Sequence, residues 1–269
     1  MHRMLVIAGL LLGVVAAQQS YGQSENAGPT APTCQVQAQT PNAVDAVLKN
    51  LEGKAAALKS YQARVDYLFK QPVLESQQRR KGTLSYAKFD NRSYLRIDFT
   101  TLQQDEEKEQ KYVEQYFFDG VWLSTINYQL KTVERRQLAE PNKPIDAFAL
   151  ASKQVPVLGF SHVEDLRKQF DVQLAADPQA GAASGSHLHL TVKPDSVYKD
   201  DYTTVDFWID KAVGLPGQVT AVTTEEDVYE IKLLDPKMNT KIDRNTFQAN
   251  VPKGFAADVI PLDKQKQKN

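Results

Sequence analysis

A single cysteine, Cys34, stands in a chain of 269 residues, so no intramolecular disulfide can form. It lies in the Pro/Ser/Ala/Gln-rich stretch "SENAGPTAPTCQVQAQTPN", with no partner for nucleophilic chemistry beside it. It also falls well beyond the apolar run at residues 4–17, which a lipid-modified cysteine would follow directly. Net charge of either sign is lacking: 32 basic and 33 acidic side chains leave −1, which excludes the basic field that holds nucleic acid. Histidine is scarce, with four in the chain. There is no Gly-x-Ser-x-Gly elbow for a serine hydrolase and no glycine signature of a dinucleotide-binding strand–helix turn. The longest apolar run, Met4 to Ala17, is too short to span a bilayer comfortably.

That run has a different use. His2 and Arg3 precede it, and small residues follow at Val15-Ala16-Ala17 and again at Ser20-Tyr21-Gly22. This is the pattern of a cleavable export peptide over residues 1–22, with maturation expected at Gln18 or Gln23. Residues 23–41 read as a disordered linker, 42–262 as one folded domain and 263–269 as a disordered polar tail. The mature protein is therefore expected to be exported, soluble and periplasmic.

Within the domain, Val44, Val47, Leu48, Leu51, Ala55 and Leu58 recur at helical spacing, predicting an amphipathic helix from about Asn42 to Ser60. Alternation then takes over in "YQARVDYLFKQ", and "KGTLSYAKFDNRSYLRIDFT" predicts two strands joined around Asp90-Asn91. The charged run from Leu102 to Lys111 reads as a solvated hairpin tip. "YFFDGVWLSTINYQLKTVERR" predicts three strands, the first two joined at Asp119-Gly120, a turn in which both central residues would take positive φ. Residues 141–170 change character, with helical spacing in two short pieces split by "VPVLGF". Strands resume at "FDVQLAA" and "HLHLTVKP", and three more follow in "TTVDFWIDKAVGLPGQVTAVTTEEDVYEIKLLD". The fold class is α+β, mostly β: an antiparallel meander of about ten strands that would leave long edges unless it curled into a full or partial barrel.

His187 and His189, two apart on a strand, share a face and could hold a metal with a third ligand, but no pattern ties His162 to them. They read as two solvent-face histidines, with no metal and no cofactor expected. The acidic clusters at Asp200-Asp201 and Glu225-Glu226-Asp227 fall at turns, where acids are ordinary. The aromatic load, 11 Tyr, 11 Phe and 2 Trp, is either plain core or the lining of a cavity for an apolar ligand.

The ordered set of these segments resembles the LolA/LolB-like periplasmic outer-membrane lipoprotein carriers, or lipoprotein-sorting proteins. The opening helix running into a strand, the glycine-led strand "KGTLSYAKF" with its return, the Asp-Gly hairpin and the C-terminal strand series ending in "NTFQANVPKGF" carry the likeness over residues 42–262. The chain departs from the family at Lys88-Phe89-Asp90-Asn91, where an Arg-Pro pair is usual, so no lid-latching residue is carried across. The resemblance implies an incomplete antiparallel barrel, a LolA-like half-barrel with an N-terminal helix and short lid helices. Its apolar cavity would be lined by Leu84, Tyr86, Leu95, Ile97, Phe99, Phe117, Trp122, Phe207 and Ile209. Ile145, Phe148, Leu150, Val157, Leu158 and Phe160 would form the lid.

The resemblance further implies a non-enzymatic monomer that binds acyl chains of a lipoprotein or lipid in transit to the outer membrane. Its partners would be an inner-membrane donor and an outer-membrane acceptor. Two alternatives stay open: an envelope sensor or regulatory binding module on the same fold, and a metal-dependent hydrolase built around His187 and His189.

Overall fold

A computed structural model describes residues 41–90, 92–147, 163–175 and 184–262. Helix α1, Pro41–Ala56, is the first described element. It ends short of the expected Ser60 because β1, Ser60–Gln71, already needs that residue as an extended partner of Ala87. The strands that follow are β2 (Ser76–Phe89), β3 (Arg92–Gln104), β4 (Gln110–Phe118), β5 (Trp122–Asn127) and β6 (Thr132–Gln137). Helix α2, Val163–Gln169, leads into β7 (Phe170–Ala175), β8 (Ser184–Val192), β9 (Tyr202–Asp210), β10 (Pro216–Thr223), β11 (Val228–Met238) and β12 (Ala256–Ile260).

All twelve described strands join one sheet in the order β12-β6-β5-β4-β3-β2-β1-β11-β10-β9-β8-β7. Strand β1 is central, with β2 on one side and β11 on the other, so one meander runs outward from it and a second returns to it. The ends, β12 and β7, are not paired with each other, so the sheet stays open. Laid flat it would span about 50 Å at the usual strand spacing. Yet residues as far apart as Leu123 on β5 and Leu188 on β8 belong to one continuous buried core, which requires the sheet to curl around it. This is the expected mostly β, incomplete barrel, with twelve strands rather than about ten. The strand that the sequence does not announce is β12, which pairs parallel with β6 at the edge. Four of its five residues are exposed, so nothing imposes an apolar alternation on it.

Two glycines shape this sheet. At Gly82 an added Cβ would lie 1.9 Å from the carbonyl oxygen of Asp98, so β2 and β3 meet there only because the side chain is absent. The register shifts by one residue beside it, between Lys81 and Gly82. At the β4–β5 turn, Gly120 takes φ +90, but Asp119 does not take positive φ as expected. The loop spans three residues, and the Asp119 carboxylate accepts from the backbone N–H of Val121 at 2.9 Å and of Trp122 at 2.8 Å. A side-chain acceptor closes the turn in place of the second left-handed residue.

Candidate functional site: the inner face of the sheet

In β1, Tyr61, Ala63, Val65, Tyr67 and Phe69 alternate strictly onto one face, and each is at most 7% exposed. Pairing carries that face outward. Tyr86 lies opposite Tyr61, Leu84 opposite Ala63 and Ile97 opposite Leu84. Leu95 then faces Phe118 and Ile97 faces Tyr116. On the other side, Tyr67 faces Ile231, Ile231 faces Val219, Val219 faces Phe207 and Phe207 faces Leu188. Helix α1 packs Val44, Leu48 and Leu51 into the same core, and α2 adds Leu166.

Of the expected lining residues, the structure brings Leu84, Tyr86, Leu95, Ile97, Phe99, Phe207 and Ile209 onto this face. Phe117 and Trp122 are not among them. Because Tyr116 and Phe118 point inward, Phe117 points out, where it packs with Ile126 and Val133 under the guanidinium of Arg96, 5.0 Å from its ring. Trp122 precedes the inward Leu123 and lies under Arg135 at 5.1 Å. Adjacent aromatic or apolar pairs such as Phe117-Phe118 and Trp122-Leu123 leave the choice of face to the sheet register. The same parity recovers the inner residues that the sequence reading omitted, Tyr67, Tyr116, Phe118 and Leu188 among them. The strict alternation of β1 was the signal that could have found them.

Ile145 packs against the inner core, and its neighbourhood is held by a few polar contacts. The Ile145 N–H donates to the carbonyl of Gly120 at 2.8 Å and the Ala147 N–H to the Ser93 hydroxyl at 2.6 Å. Lys88 approaches the Asp146 carboxylate at 3.9 Å. Burial, and then the charge of Asp146, pushes the Tyr86 hydroxyl far above its ordinary range. The other expected lid residues, Phe148, Leu150, Val157, Leu158 and Phe160, lie outside the described residues.

One end of the face is polar. Arg80, 1% exposed, meets Glu114 at 2.6 Å, and Asn127 donates to the second oxygen of that carboxylate at 3.2 Å. Tyr112 stands beside the guanidinium, and Gln78 accepts from its Nε at 3.0 Å. The pair is thus desolvated but well hydrogen-bonded, as a buried charge must be. Burial drives the hydroxyls of Tyr67 and Tyr116 well above their ordinary pKa, so both stay neutral.

His187 and His189 sit on the outer face and are not simple solvent-facing residues. His187 Nε2 and His189 Nδ1 lie 2.7 and 2.8 Å from the same oxygen of Asp206 on β9. His187 also stacks on Trp208 with ring centroids 4.3 Å apart. Burial pushes the Asp206 carboxyl up, but hydrogen bonds from both histidines outweigh it and hold the group below the ordinary carboxylate range. The hydrogen bond to Asp206 raises His189, against burial. Among the described residues, no cluster of three His, Cys, Asp or Glu side chains is placed to hold a metal ion. Among the same residues, no helix is long and apolar enough to cross a membrane.

No protein-family model and no curated protein matches this chain. Solved structures do. Mycobacterium tuberculosis lipoprotein LppX is similar at 12% identity and a TM-score of 0.44, over 76% of this chain and 99% of its own. A LolA superfamily protein from Nitrosomonas europaea is similar at 12% identity and a TM-score of 0.31, over 77% and 97%. MucB, from the Pseudomonas aeruginosa MucA/MucB complex, is similar at 14% identity and a TM-score of 0.43 over 78% of this chain. This chain spans only 61% of that MucB-complex chain.

Proposed function

We propose that the protein is an exported, non-enzymatic carrier that shelters acyl chains of a lipoprotein or lipid against the inner face of its sheet. The observation that carries this reading is the inner face itself. It is one continuous apolar surface reaching across an open, curled sheet, and α1, the short α2 and the Ile145–Ala147 segment are the described elements that cover it. A surface of that extent, closed by short pieces rather than by a second sheet, can take an apolar chain in place of its cover. Each methylene removed from water contributes about 0.8 kcal/mol, so an acyl chain of ordinary length gains roughly 10 kcal/mol before ordering costs.

Titration of a dansyl-labelled fatty acid tests the reading. The parent is expected to bind with enhanced, blue-shifted emission. Ile97→Asp places a carboxylate on the apolar face and is expected to weaken binding at least about tenfold. Comparison is made between variants whose circular dichroism and thermal transition show them folded. Trp122→Ser, on the opposite face, is expected to bind as the parent does. A parent that binds no probe, or a folded Ile97→Asp that binds equally well, makes the face an ordinary packed core.

A further inference from the structure

Five connections gather at one end of the sheet: residues 72–75, 105–109, 128–131, 193–201 and 224–227. The antiparallel register requires this, and hydrogen bonds tie neighbouring tips together. Gln77 N–H donates to Asp105 at 2.6 Å, and Thr224 N–H to the Asp201 carbonyl at 3.3 Å. Among the described residues, the four most exposed large apolar side chains all stand here: Val73 at 72%, Leu74 at 67%, Leu130 at 71% and Val197 at 72%. A single exposed apolar turn residue is ordinary, but four concentrated on one end of a molecule mark an interaction surface.

Charge selects what that surface fits. The same five connections carry eleven acidic and four basic side chains, a net of −7 in a chain whose net is −1. The acids are concentrated on the 105–109 and 224–227 tips, which alternate with the apolar tips along the rim. An anionic bilayer would be repelled by such a rim, and a neutral one would make no use of its charge. A protein segment with basic and apolar side chains together satisfies both features, since complementary potentials guide encounter while the apolar tips supply buried area. We infer that this end of the sheet docks a basic, amphipathic segment of a protein partner. The inference does not depend on the carrier reading, because it concerns the turns and not the inner face.

The probe is a fluorescein-labelled model peptide of leucine and lysine, followed by anisotropy with the whole mature chain. Binding is expected to weaken steeply as salt is raised from about 50 to about 500 mM. Replacing the apolar tips with Val73→Ser, Leu74→Ser, Leu130→Ser and Val197→Ser leaves the charge unchanged and is expected to lower affinity about tenfold. Glu106→Gln with Glu225→Gln is expected to lower it about fivefold and flatten the salt dependence, while Glu140→Gln with Asp258→Asn changes it less than about twofold. All the substituted positions are exposed, so circular dichroism should be unaltered. Three outcomes each overturn the inference. They are an apolar-tip variant that binds like the parent, a control pair that loses as much as the rim pair, or phosphatidylglycerol vesicles that bind the chain as tightly as the peptide.

Discussion

Asp206 and His189 shift in opposite directions on folding, and this gives the outer face of β8 and β9 a defined pH response. His189 is raised from its ordinary 6.5, so its contribution to stability is complete below about 6.5 and is lost as pH rises through the folded value. Asp206 is lowered from 3.8, so its contribution is present above about 3.8 and is lost as pH falls through the folded value. Their joint contribution is therefore greatest between about pH 4 and 6.5. Thermal melts of the parent and His189→Gln should differ most in that window and converge once pH has risen past the folded value; a constant difference across pH would show that the ring acts by packing alone. Arg80 behaves differently because its partner is buried with it. Glu114→Gln strands a guanidinium that is 1% exposed and should cost about 3–5 kcal/mol in chemical denaturation, whereas Arg80→Met with Glu114→Leu should cost much less. A single variant as stable as the parent would mean that water reaches the site. At this scale the sequence showed the histidines sharing a face but not the carboxylate between them, because Asp206 comes from the next strand and its register was not legible.

Elements were easier to read than faces. The opening helix, the hairpin at Asp90 and the strand series to β11 follow from periodicity and turn residues, and the structure has them. What periodicity leaves open is parity within runs such as Phe117-Phe118 and Trp122-Leu123, and so Phe117 and Trp122 are read onto the inner face although both lie on the outer one. The C-terminal segment was also underread. After β11 it crosses the outer face, where the ring of Phe247 packs 6.0 Å from Phe89 and 5.8 Å from Tyr94. Arg244 lies over both of those strand rings, the Thr246 carbonyl accepts from Arg96 at 2.8 Å, and Phe255 meets Tyr128 before β12 pairs with β6. Phe247 is 8% exposed, so Phe247→Ala should cost about 3–5 kcal/mol and lower the urea midpoint with little change in slope. An unchanged midpoint would show that the segment merely rests on the sheet.

On the scale of the whole molecule, topology dictates the cover. Strand β6 lies near one edge of the sheet and β7 forms the opposite edge, so the chain between them must travel from one side to the other. Its two described ends both reach the inner face, since Ile145 packs there after β6 and Leu166 packs there before β7. The described end after β6 is fixed by contacts that can be broken singly. Ser93, 3% exposed, accepts the Ala147 N–H, and removing its hydroxyl should leave the strands paired while releasing one anchor of the Ile145–Ala147 segment. Under the carrier reading, Ser93→Ala is expected to speed both uptake and release of a dansyl fatty acid in stopped-flow mixing, each severalfold. Equilibrium affinity should change less than either rate, because one barrier governs both directions. The accompanying loss of stability should be about 1–2 kcal/mol, the cost of leaving a buried amide without its acceptor. Equal rates in a variant of reduced stability would show that the contact braces β3 and that cargo enters by another route.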